Sequence, residues 1–239
     1  MSLALLPLSL LWLGGCEGKG GDESPAVMIQ DTLTFLALGD SYTIGEAVDS
    51  TERWPVQLAG ALEEEGVPTR EPRIVAQTGW TTDELAQGIH DAGVTGRYGL
   101  VTLLIGVNNQ YRGGEIGIFR RELVDLLDRA VAFAEGGRGR VLVLSIPDWG
   151  VTPFAQDRDR DQIAREIDAF NGVVREEAEA SGVRYLDVTG ISRRAGMEAG
   201  LVAEDGLHPS GAMYALWVEE AVPLVREMLR EASEPGREG

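Results

Sequence analysis

Two short runs, LVTLLIG (Leu100 to Gly106) and RVLVLSIP (Arg140 to Pro147), constrain this chain most. Both are almost wholly apolar and partly β-branched. A strand with one wet face alternates polar and apolar residues. A strand covered on both faces does not, and such strands belong to parallel sheets flanked by helices. Related runs recur along the chain, and the candidate strands are Leu33–Leu38, Arg73–Ala76, Leu100–Ile105, Val141–Ile146 and Arg184–Val188. Amphipathic stretches separate them: Trp54–Glu65, Asp83–His90, Ile116–Glu135, Arg160–Ser181 and Ser210–Arg230. In IGIFRRELVDLLDRAVAF, apolar residues return every three or four positions with charges between them. Thr81 and Glu84 have the spacing of a capping box. This alternation predicts a three-layer α/β/α domain on a flavodoxin-like, doubly wound, parallel five-stranded sheet.

The 239 residues suit one sizeable domain that needs no staples to hold its core. With 39 acidic and 21 basic residues the formal charge is −18, and Lys19 is the only lysine. This argues against a nucleic-acid partner, because phosphate contacts need clustered Lys and Arg. One cysteine, Cys16, rules out an internal disulfide or a multi-cysteine metal site. It closes the segment MSLALLPLSLLWLGGC, whose apolar run from Leu3 to Leu13 has signal-peptide length and is too short to span a bilayer. Leu-Gly-Gly-Cys resembles the lipobox of bacterial lipoproteins, in which the cysteine thiol receives a diacylglyceryl group. The segment departs from the usual signal anatomy in lacking Lys or Arg ahead of its apolar run. The expectation is a lipid-anchored protein of the bacterial cell envelope, attached to the membrane through Cys16. A plain secretory signal is the other reading. EGKGGDESP, from Glu17, reads as a flexible tether.

In a doubly wound sheet, ligands sit beyond the carboxyl ends of the strands. Four polar loops fall there: Gly39-Asp40-Ser41, Gln77-Thr78-Gly79, Gly106-Val107-Asn108-Asn109 and Pro147-Asp148-Trp149. Taken alone, Ser41 reads either as a helix cap or as a nucleophile, since serine is a favoured N-cap. The stretch DGLHPS, Asp205 to Ser210, precedes the last helix and carries one of only two histidines. Asp205 stands three residues before His208, so one tight turn can aim its carboxylate at Nδ1–H and leave Nε2 as an acceptor. Pro209 biases His208 toward extended backbone. Asp205 and Ser210 read equally as turn and cap residues.

Taken together, Gly39-Asp40-Ser41, Gly79 in QTGWTTDEL, Gly106-Val107-Asn108-Asn109 and Asp205-Gly206-Leu207-His208 resemble, in order, four blocks of the SGNH hydrolases, the GDSL esterase/lipase family. The resemblance runs from about Thr34 to Trp217. It implies a Ser-His-Asp acyl-enzyme mechanism with Ser41 as nucleophile, His208 as general base and acid, and Asp205 as its orienting partner. It also implies an oxyanion hole of the Ser41 and Gly79 backbone N–H groups and the Asn108 amide. Asp40 then shapes the turn. No cofactor or metal is implied. The third block departs from the family in ending in Asn109 where Asp is usual, which puts a supporting contact in doubt. The α/β-hydrolase elbow G-x-S-x-G does not fit, because Thr43 stands at the second glycine position.

The resulting organisation is a signal peptide over 1–16, a tether over 17–30, a hydrolase domain over 31–232 and a disordered tail over 233–239, in a monomeric protein. The substrate is expected to be the ester of a lipid, a lysophospholipid, an acetylated sugar or a small acyl group. Trp80, Tyr111, Trp149 and Phe154 fall on the rim loops, and either line an acyl pocket or pack those loops onto the sheet. Arg112 either meets an anionic headgroup or is a solvated surface residue. A rival reading from another class is a non-catalytic, surface-tethered binding module on the same scaffold. It requires no convergence of Ser41, Asn108, Asp205 and His208.

Overall fold

The computed structural model describes residues 32–231. The segment with Cys16, the tether over 17–30 and the tail over 233–239 lie outside the described residues. Five parallel strands, β1 (Phe35–Gly39), β2 (Arg73–Ala76), β3 (Leu100–Leu104), β4 (Val141–Leu144) and β5 (Arg184–Leu186), form one sheet in the order β2-β1-β3-β4-β5. Every residue of β1, β3 and β4 is buried, as their unbroken apolar runs require. Leu38 lies beside Val75 on one side and Leu103 on the other, so β1 is an interior strand, next to the central β3.

The long helices are α2 (Trp54–Glu64), α3 (Thr82–Asp91), α5 (Ile116–Phe133), α6 (Arg160–Ser181) and α8 (Gly211–Glu231). Two of them, α2 and α8, pack together. The others form a second layer, with α5 between α3 and α6. The expected capping box forms at the start of α3: Glu84 accepts from the Thr81 N–H at 2.9 Å. Three short helices were absent from the sequence reading: α1 (Ser41–Ile44), α4 (Val107–Tyr111) and α7 (Thr189–Arg193). All three follow strand ends directly, where the chain turns tightly rather than entering an open loop. For the same reason β3 and β5 stop one and two residues before the predicted ends; β4 also stops two residues early, at Leu144. β1 runs from Phe35 to Gly39 instead of Leu33 to Leu38, and Leu33 makes only an isolated bridge to Thr69.

Strand order reverses between β1 and β3, since β2 lies on one side of β1 and β3 to β5 lie on the other. The connections therefore diverge at this point and leave a crevice above the carboxyl ends of β1 and β3. Ser41 follows β1 and Asn108 follows β3, so the topology puts both at its mouth.

Candidate active site

Ser41 opens α1 immediately after a strand-to-helix turn. Gly39 is required there by packing: a Cβ at that position would stand 2.5 Å from the Leu104 carbonyl of the neighbouring strand. Asp40 caps α1, with its Oδ1 accepting the Tyr42 N–H at 3.1 Å. The other carboxylate oxygen, Oδ2, is buried without a partner. Burial pushes the Asp40 carboxyl up to about 7, against the Tyr42 bond, which lowers it.

His208 is set by a turn that Asp205 organises. Oδ1 of Asp205 accepts from the N–H groups of Leu207 at 2.9 Å and His208 at 3.0 Å, while Oδ2 faces His208 Nδ1 at 2.5 Å. Partial burial raises the Asp205 pKa, but these three bonds outweigh it and hold the carboxyl below its ordinary value. Asp205 therefore stays ionised, accepts from Nδ1–H and leaves Nε2 as the free ring nitrogen. The turn is anchored from outside: the His208 carbonyl accepts from Ala203 N–H at 2.8 Å, and the Gly206 carbonyl from Phe154 N–H at 2.9 Å. The edge of the Tyr42 ring packs against the imidazole, with centroids 5.8 Å apart.

Ser41, Gly79, Asn108 and His208 line one cleft of about 170 Å3, together with Tyr42, Thr78, Val107, Tyr111, Trp149, Phe154 and Leu207. Ser41 and His208 are only 5% and 8% exposed, so their reactive atoms meet solvent through this cleft. Gly79 has φ +89°, a conformation that favours glycine. Asn108 Nδ2 donates to the Trp80 carbonyl at 2.9 Å, and the amide has a second N–H to offer.

Three of the four rim aromatics sit at the cleft. Tyr111 and Phe154 are 46% and 44% exposed, while Trp149 is 5% exposed and packs edge-on to both rings. Trp80 is the exception and does not line the cleft. Its indole lies on Gly88 of α3, where the missing side chain leaves a seat; a Cβ at Gly88 would fall 2.1 Å from Trp80 Cη2.

Arg112 is half exposed at the rim and is tied to two partners. Its guanidinium donates to the Gly79 carbonyl at 2.6 Å and pairs with Glu84 at 3.2 Å. Asn109, which stands where the family usually has Asp, is buried and holds Thr82: its Oδ1 accepts the Thr82 N–H at 3.1 Å and its Nδ2 donates to Thr82 Oγ1 at 2.7 Å. The Thr82 hydroxyl is then free to donate to Glu122, which it does. A carboxylate at 109 would compete with Glu122 for that proton, so asparagine suits this pair. Gln110, which the sequence reading passed over, is buried and bridges Trp149 to Glu166. Its side-chain type and spacing carry no local sign of that role.

A doubly wound sheet with a serine and a histidine–aspartate pair at its switch point defines a three-layer α/β hydrolase of the SGNH type. Residues 37–216 match the profile of the GDSL-like lipase/acylhydrolase family, and the chain belongs to that family. It is accordingly an ester hydrolase. Sequence comparison with curated proteins gives no match. Solved structures with the same fold include TesA, with 22% identity and a TM-score of 0.65 over 82% of this chain and 99% of that one. A lipase/acylhydrolase from Enterococcus faecalis is similar, with 19% identity and a TM-score of 0.63 over 84% and 97%. So is Axe2, an acetylxylan esterase from Geobacillus stearothermophilus, with 18% identity and a TM-score of 0.59 over 84% and 94%.

Proposed function

We propose that this chain is a serine esterase that cleaves carboxylic esters through an acyl-enzyme formed on Ser41. The observation that carries the reading is convergence. Four loops from distant parts of the chain bring Ser41, Gly79, Asn108 and His208 to one cleft, and Asp205 stands 2.5 Å behind the imidazole. In the first half-reaction His208 Nε2 takes the Ser41 hydroxyl proton as Oγ attacks the acyl carbon. The oxyanion is met by the backbone N–H groups of Ser41 and Gly79 and the Asn108 amide. The tetrahedral intermediate then collapses, the C–O bond to the alcohol breaks, and His208 protonates the departing alkoxide. Water repeats the sequence on the acyl-enzyme, releasing the acid and restoring Ser41. Asp205 keeps the imidazole in the required tautomer and stabilises the imidazolium.

The substrate is the ester of a lipid, a lysophospholipid, an acetylated sugar or a small acyl group, in keeping with neighbours named as lipases and acetylxylan esterases. A non-catalytic binding module would have no use for a buried histidine paired with an aspartate in the cleft that a serine also lines, which counts against that rival. The test is hydrolysis of p-nitrophenyl esters by the purified full-length protein beside Ser41→Ala and His208→Ala. Each substitution is expected to lower kcat by at least about a thousandfold with the fold intact by circular dichroism. Wild-type turnover in either variant would remove the triad.

A further inference from the structure

Tyr42, Trp149, Leu207 and His208 line the cleft and also a second, small space of about 10 Å3 that Pro209 and Met213 border. These four side chains thus stand between the two spaces. Tyr42 and His208 belong to the catalytic turns. Trp149 is by far the larger of the other two, and its position is specified by more than packing.

Its indole Nε1–H donates to Gln110 Oε1 at 2.8 Å, and Gln110 Nε2 donates to Glu166 Oε2 at 2.7 Å. Gln162 Nε2 holds the other oxygen of Glu166, also at 2.7 Å. A chain of hydrogen bonds therefore runs from the surface of α6 through buried Gln110 to the indole. Both amide atoms of Gln110 are used, so its orientation is determined, and breaking either bond would leave a buried polar group unpaired. On the backbone side, Asp148 accepts the Gly150 N–H at 2.8 Å and pairs with Arg193 at 2.9 Å, which fixes the turn that carries Trp149. A tryptophan that only filled space would not need this support of both its side chain and its backbone.

We propose that Trp149 is the acyl-length stop of this esterase, held by the Gln110–Glu166 brace. The space in front of it accepts acyl groups of up to about six carbons, since an apolar cavity of ~150 Å3 holds a benzene molecule. The proposal rests on the esterase reading above. Longer chains meet the indole and must turn out past Tyr111 and Phe154 into solvent.

The test measures kcat/KM for the p-nitrophenyl acetate, butyrate, hexanoate, octanoate and decanoate esters, using full-length wild type, Trp149→Ala and Gln110→Leu, with Ser41→Ala as the blank. The quantity compared is the octanoate-to-butyrate ratio within each protein, which does not depend on the fraction folded. Wild type is expected to lose about tenfold or more from hexanoate to octanoate, and Trp149→Ala to raise the ratio by about tenfold or more. Gln110→Leu, which keeps the indole but unties it, should give a smaller rise. If Trp149→Ala does not accumulate, Trp149→Leu serves for the same ratio. Decanoate hydrolysis by wild type as fast as butyrate, or ratios unchanged in the variants, would overturn the stop and leave the esterase intact. Absence of Ser41-dependent hydrolysis of every ester would remove the esterase reading and the stop with it.

Discussion

Asn108 illustrates how one side chain is made ready for charge that does not yet exist. One amide hydrogen is tied to the Trp80 carbonyl at 2.9 Å, and a carbonyl can only accept, so the nitrogen must face it. The amide cannot flip without losing that bond, and the remaining N–H keeps its direction through the reaction. A donor held this way needs no reorganisation when the oxyanion forms. Asn108→Ala is expected to lower kcat by roughly 10²–10³ with little change in KM, because the contact strengthens only in the transition state. Steady-state kinetics on a p-nitrophenyl ester check this, and an unchanged kcat would take Asn108 out of the oxyanion hole. This residue was legible in the sequence because of its place in a block of known order. The contact that orients it was not, since Trp80 lies 28 positions away and contributes only a backbone oxygen.

At the scale of elements, α4 and the residue after it assemble most of the site. Asn108 holds Trp80, Asn109 holds Thr82, Gln110 holds Trp149, Tyr111 joins the aromatic wall, and Arg112 holds Gly79. Successive helical residues point about 100° apart, so five in a row fan out in every direction. That is why so short a helix can grip several loops at once. It is also why the sequence concealed it, because a segment this short shows no amphipathic period and reads as a polar loop. The long elements were legible for the opposite reason. Arg160–Ser181 was bounded correctly from its periodicity, whereas the rim helices depend on partners distant in sequence. The grip of Arg112 on the Gly79 carbonyl makes it a positioning residue for the proposed oxyanion donor one peptide earlier. Arg112→Ala is expected to lower kcat about tenfold while KM holds, and added guanidinium ion should restore part of the rate, since the guanidinium is half exposed. Loss of stability with no kcat effect, or no rescue, would reduce Arg112 to a surface ion pair.

At the scale of the whole molecule, the question is how so acidic a protein responds to pH. With a formal charge of −18, acidification relieves self-repulsion across the surface, and salt screens the same term. Asp40 adds a separate contribution from the centre of the fold. Its folded value of about 7 lies above the usual 3.8, so the folded state binds the proton more tightly than the unfolded chain. Stability from this group is complete below the unfolded value and is lost as pH rises from there through about 7. The burial of an unpartnered Oδ2 is the cause. Surface repulsion acts alike on wild type and Asp40→Asn, so the difference in Tm between them isolates the buried carboxyl. Asn keeps an oxygen for the Tyr42 N–H and cannot ionise. The variant is therefore expected to gain at least about 4 °C on wild type in going from about pH 5 to about pH 8. Thermal unfolding followed by circular dichroism at the two pH values measures it. A difference that does not change with pH would mean that Asp40 is ionised throughout, with the turn that carries Ser41 built around a charge rather than a neutral acid.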